Sequence, residues 1–107
     1  MTVTYEWIVE FIDSDGEIID VHHHDNYVAA VATKAAEPTS DFDRAHIGLV
    51  RDVGNDIEGL TDRAWAYIGD DGQLPEYFNY GETDDGPALS GHKVPQRFHR
   101  EIAKGAP

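Results

Sequence analysis

Residues 3–12 alternate without a break: Val3, Tyr5, Trp7, Val9 and Phe11 fall on one side, Thr4, Glu6, Ile8, Glu10 and Ile12 on the other. Period two in β-branched and aromatic residues specifies a half-buried strand rather than a helix. Asp13-Ser14-Asp15-Gly16 follows, with Gly16 at the positive-φ position that a hairpin turn needs. Glu17 to His22 then returns as a second strand, so the chain opens on a β-hairpin.

Asp25 or Asn26 is placed to cap a helix, because a short side-chain oxygen accepts from the free amides of a first turn. The Ala-rich stretch Tyr27 to Ala36 is that helix, with Val28, Val31, Ala32 and Ala35 at helical spacing and Pro38 as its stop. Residues 44–53 read as a third strand, 54–59 as a loop bounded by glycines, and Ala64 to Ile68 as a fourth strand closed by Asp70-Asp71-Gly72. Residues 78–93 carry three glycines and no periodicity, which reads as a flexible acidic surface loop. Pro95 suits the first turn of a short basic helix over 94–104, with Phe98 and Ile102 four apart as its anchor. The expected fold class is α+β: a small antiparallel sheet in ββαββ order, one helix packed across it and a short C-terminal helix. A length of 107 residues fits a single domain over 1–107.

Charge constrains function more than any motif does. Glu6, Glu10, Asp13, Asp15, Glu17, Asp20 and Asp25 stand unopposed until Lys34, and the formal net charge is −13. The sign reverses only at the end, where Lys93, Arg97, Arg100 and Lys104 face Glu101 alone. Such a field repels nucleic acid and membrane surfaces and attracts basic partners. Hydrophobic content of 40% argues for a folded domain rather than an acidic tail. Zero cysteines exclude disulfides, thiol nucleophiles and thiolate metal sites. The opening Met-Thr-Val-Thr-Tyr-Glu has neither the basic nor the apolar region of a signal peptide, and no apolar run approaches a membrane span. Cytoplasmic localisation is the expectation.

His22-His23-His24-Asp25, with Asp20 upstream, is the sharpest local cluster, and imidazoles with carboxylates suit zinc, nickel or copper. Two histidines on one strand face are not yet three or four converging ligands, and the plainer reading is a polar strand end leading into a helix cap. Asp13-x-Asp15-Gly16 fails as a calcium loop, since taking Gly16 as the sixth position places His22 where a bidentate Glu is required. There is no Gly-x-Ser-x-Gly elbow, no phosphate-cradling Gly-x-x-x-x-Gly-Lys and no Gly-x-Gly-x-x-Gly. The expectation is therefore no enzyme and no cofactor. For the basic end, phosphate contact is weighed against a tail that packs on the acidic sheet and neutralises part of it; the second is preferred, with Phe98 and Ile102 deciding whether it docks.

Ile47-Gly48-Leu49-Val50-Arg51-Asp52, the segment Glu58-Gly59-Leu60-Thr61-Asp62, Trp65-Ala66-Tyr67 and the ending Val94-Pro95-x-Arg97-Phe98-His99 join the Tyr5-Glu6-Trp7 hairpin. Together they resemble a group of small acidic bacterial proteins of unassigned function, a resemblance that implies one small domain and transfers no catalytic residue. The Ala-rich helix, the strand Trp65-Ala66-Tyr67-Ile68 and the turn at Asp71-Gly72 more loosely resemble small phage-encoded anti-CRISPR proteins. That resemblance implies an inhibitor that occupies a basic, nucleic-acid-handling surface.

The reading that follows is a non-enzymatic interaction protein whose acidic face binds a basic protein surface, as a nucleic-acid mimic or anti-defence inhibitor. Its expected contact residues are Glu6, Glu10, Asp13, Asp15, Glu17 and Asp20 from the hairpin, Asp56, Glu58 and Asp62 from the central loop, and Trp65. The alternatives are a metal-binding accessory domain built on His22 to His24, and a domain whose acidity serves only solvation.

Overall fold

Trp7, Val9 and Phe11 need a covering layer, and two helices supply it. The structure, a computed structural model, describes residues 3–54, 61–83 and 86–105. Strands β1 (Val3–Ile12) and β2 (Ile18–His24) form the hairpin, followed by helix α1 (Tyr27–Ala36) and a single 3₁₀ turn at Thr39–Asp41. Strands β3 (Arg44–Gly54), β4 (Thr61–Tyr67), β5 (Tyr77–Thr83) and β6 (Gly86–Lys93) come next, and helix α2 (Gln96–Gly105) closes the order. The result is an α+β fold with one six-stranded antiparallel sheet, ordered β2-β1-β3-β4-β5-β6. The chain therefore crosses β1 once, through α1, and otherwise runs to its nearest neighbour.

Register sorts the side chains. Trp7, Val9 and Phe11 stand opposite Leu49, Ile47 and Ala45 on β3, and Leu49 opposite Ala66 on β4. These join Ala30 of α1, Ile102 of α2, Leu74, Phe78 and Val94 in one buried cluster. Both helices lie on this face. The other face carries no helix among the described residues; Ile8, Ile12 and Val50 are buried there by neighbouring strand side chains.

Asn26 caps α1, its side chain accepting from the Ala29 amide at 2.8 Å. The packed face of α1 is not the expected one. Ala30 is buried and Tyr27 meets Trp7 with ring centroids 5.2 Å apart, whereas Val28 is exposed. The small Ala30 lets the helix axis approach the sheet, and that rotation turns Val28 outward.

Residues 78–93, expected as a loop, instead form most of β5 and β6. Phe78 explains the strand: it is fully buried and stacks on Tyr5 at 6.1 Å. The sheet thus has two more strands than the ββαββ expectation. Helix α2 docks through Phe98 and Ile102, as its spacing suggests. Of the cations of the basic end, Lys93 pairs with Glu76 at 3.4 Å, whereas Arg97, Arg100 and Lys104 of α2 form no such pair among the described residues. Arg97 stacks over Phe98 and Tyr5, at 4.7 and 5.3 Å from the ring centroids.

Candidate functional site

Three connections meet at one end of the sheet. β1 leaves there at Ile12, β2 enters at Ile18, β3 enters at Arg44 opposite Ile12, and β4 leaves at Tyr67 opposite Gly48. The Asp43 amide donates to the Ile12 carbonyl at 2.9 Å, binding two of these connections together. Two of the three turns are built by an aspartate with a glycine downstream. Asp13 Oδ1 accepts from the amides of Asp15 and Glu17 at 2.9 and 3.0 Å, with Gly16 at φ 84°. Asp71 Oδ1 accepts from the Gln73 amide at 3.0 Å, with Gly72 at φ 76°.

The carboxylates left over point outward. Asp15, Glu17, Asp41, Asp43 and Asp70 are all exposed at this end, and Asp13, Asp41 and Asp43 share a crevice of about 280 Å³. None of them pairs with a Lys or Arg among the described residues. Arg44 is a cation of this end; its Nη2 lies 4.0 Å from where a Cβ on Gly16 would sit. Helix α2 carries the opposite sign: Arg97, Arg100 and Lys104 line a groove of about 760 Å³ with Tyr5, Asp25 and Glu101.

Of the residues expected to make contact, Asp13, Asp15 and Glu17 converge at the acidic end. Glu6 stands on the uncovered sheet face and faces His23 at 3.1 Å. Asp20 lies on β2 beside His22, at 2.9 Å, in register with Phe11 and so on the opposite face from Glu6. Asp56 and Glu58 lie outside the described residues. Asp62 stands opposite Val53 in β4, and its side chain lies outside what is described. Trp65 is half-buried on the uncovered face, with the Arg63 guanidinium 6.0 Å from its ring. Asp41, Asp43 and Asp70 join the acidic end only through topology.

Glu10 is elsewhere altogether. It is 8% exposed, on the uncovered face near the end of β1, opposite His46 on β3. Tyr67 reaches it from β4: the phenol donates a hydrogen bond to the Glu10 carboxylate. Burial, that hydrogen bond and the negative charge of Glu10 together push the Tyr67 phenol well above its usual range, so it remains a protonated donor. His46 meets the Tyr67 ring edge-on at 6.3 Å. These three side chains line an open recess of about 730 Å³, with aliphatic walls from Ile12, Ile18 and Ile68. Sequence reasoning missed it; the available signal was Gly48, a glycine inside a strand, which often marks a close approach.

The histidines disperse. His22 turns to Asp20, His23 to Glu6, and His24 Nε2 to the Thr33 hydroxyl at 2.7 Å. Among the described residues no three His, Cys, Asp or Glu side chains converge on a metal-sized space. No helix among them is long and apolar enough to cross a membrane. Comparison of the chain with protein-family models, with curated proteins and with solved structures finds no match in any of the three.

Proposed function

We propose that this protein is a non-enzymatic binder of a basic protein surface, engaging it through the acidic end of its sheet. One observation carries the reading: the connections after β1, before β3 and after β4 bring Asp15, Glu17, Asp41, Asp43 and Asp70 to one end without partnering cations. Like charges held together raise folding free energy, so an unpaired cluster is best understood through what it meets. The long dimension of the molecule is 41 Å, a length over which duplex DNA presents about 24 phosphates at one per ~1.7 Å. A net charge of −13 is of that order, which supports the nucleic-acid-mimic form of the reading. The anti-defence inhibitor is the version of it that the resemblance to anti-CRISPR proteins favours.

Three variants test it on host lysate: wild type, Asp15→Lys with Glu17→Lys and Asp43→Lys, and a control of equal net charge with Glu6→Lys, Asp25→Lys and Asp52→Lys. The expected result is a basic protein that wild type and control retain, that the first variant loses, and that duplex DNA displaces. Retention of the same proteins by both triple variants overturns the proposal.

A further inference from the structure

We infer that the recess over Glu10 is a binding site for a guanidinium group, and that it anchors an arginine side chain of the basic partner. The inference rests on the proposed function for the source of the ligand but not for its chemistry. Glu10 is a carboxylate whose desolvation has already been met by the fold, being 8% exposed. A cation arriving there therefore adds only its own desolvation cost, and it gains attraction in a medium less polar than water. No Lys or Arg among the described residues pairs with Glu10. The chain's own Arg44 reaches Gly16 at the rim of the recess without pairing with Glu10.

The surroundings select the kind of cation. The Tyr67 hydroxyl already occupies part of the Glu10 carboxylate, leaving acceptor positions free on a group that has up to four. The rings of Tyr67 and His46 offer faces and edges to a flat group, while Ile12, Ile18 and Ile68 offer aliphatic wall. A planar, weakly hydrated guanidinium on an aliphatic stem fits that combination better than a compact, strongly hydrated ammonium. The volume, about 730 Å³, lies within the usual range for small-molecule sites and admits a side chain with its flanking backbone. Gly16 and Asp70 line the same recess, so it opens directly beside the acidic end. A basic surface drawn to that end is delivered to the recess.

The probes are ethylguanidinium and a short arginine-containing peptide, titrated into the full chain while NMR signals of Tyr67, His46 and Ile18 are followed. Saturable shifts confined to these residues are expected, weakened about tenfold or more by Glu10→Gln, which removes a charge-assisted hydrogen bond. Ile18→Lys provides a second variant at a position 54% exposed, where folding is not at risk; it is expected to abolish the shifts by placing a cation at the wall. Peptide binding tighter than ethylguanidinium assigns the site to a partner's side chain, and equal affinities assign it to a free guanidine. Absence of saturable shifts with either probe overturns the inference, as does binding that both variants leave intact. The variant with Asp15→Lys, Glu17→Lys and Asp43→Lys separates the two proposals, because it is expected to lose the partner while still binding ethylguanidinium.

Discussion

Tyr67 lies across Gly48. A Cβ placed on Gly48 would come 2.8 Å from Cδ1 of the Tyr67 ring, closer than real Cβ atoms approach, and a tight 3.1 Å from Cε1. Gly48 has no unusual φ, so its missing side chain serves the ring and not the backbone. The vacancy lets Tyr67 lean over β3 from its place opposite Gly48 and reach Glu10 on β1. Gly48→Ala is expected to displace the ring and cost roughly 1–3 kcal/mol, the usual range for overpacking. With Tyr67→Ala already present the same change should cost nothing or stabilise, since alanine suits a strand better than glycine. Urea denaturation of the four members of this cycle measures the coupling; equal costs in both backgrounds would refute the packing argument.

Glu101 joins three elements. Its Oε2 accepts from the indole N–H of Trp7 at 2.8 Å, and its Oε1 faces the Tyr27 amide at 3.4 Å, at the start of α1. Trp7 is fully buried, so an indole N–H without a partner would be left in the core. A carboxylate is also favourable at a helix N-terminus. Glu101→Ala is expected to destabilise by about 2–3 kcal/mol and Glu101→Gln by less, because the amide oxygen still accepts. Thermal or urea unfolding with Trp fluorescence reports both.

What could be read from the sequence was local. The alternation at 3–12, the Asp13–Gly16 turn, the Asn26 cap and the Phe98–Ile102 spacing each depend on neighbours within about one turn of chain, and the structure has all of them. β5 and β6 were hidden because their pairing shifts register between Tyr77 and Asn79 and again between Asn79 and Glu82. Each shift breaks the period-two signal on which a strand is recognised. Glu10 looked like one more acid on a polar strand face. Its burial depends on β3 and β4 lying beside β1, which places His46 opposite it and Tyr67 within reach. The gathering of Asp43 and Asp70 with the hairpin turn depends on the same strand order.

The raised phenol of Tyr67 has a consequence for stability at alkaline pH. Unfolded, the phenol ionises near its ordinary value of 10.0; folded, it holds its proton to higher pH. The unfolded state therefore releases a proton first, and the folded state loses its relative advantage as pH climbs above that value. Stability is expected to be flat with respect to this group below pH 10.0 and to fall above it. Tyr67→Phe should flatten that fall, and Glu10→Gln should lower the Tyr67 ionisation seen by ultraviolet absorbance. A Tyr67 titration unmoved by Glu10→Gln would contradict the hydrogen bond.

Asp13 and Asp15 belong to one turn and should respond to mutation with opposite signs. Asp13 accepts two backbone amides, those of Asp15 and Glu17, and so holds the turn closed. Removing its side chain strands both donors, and Asp13→Ala is expected to cost about 1–2 kcal/mol at roughly 0.5–1.5 kcal/mol per net hydrogen bond. Asp15 accepts nothing in its turn, is exposed, and shares its end of the sheet with Glu17, Asp43 and Asp70. Its charge does more for repulsion than for the fold, so Asp15→Ala should leave stability unchanged or raise it slightly at low ionic strength. Added salt should erase that gain, because exposed charges are screened beyond a Debye length of ~10 Å at 0.1 M. Urea midpoints for both variants at low and moderate salt decide the matter. A salt-insensitive loss at Asp15 equal to that at Asp13 would mean that the acidic end is held together by its carboxylates and is not strained by them.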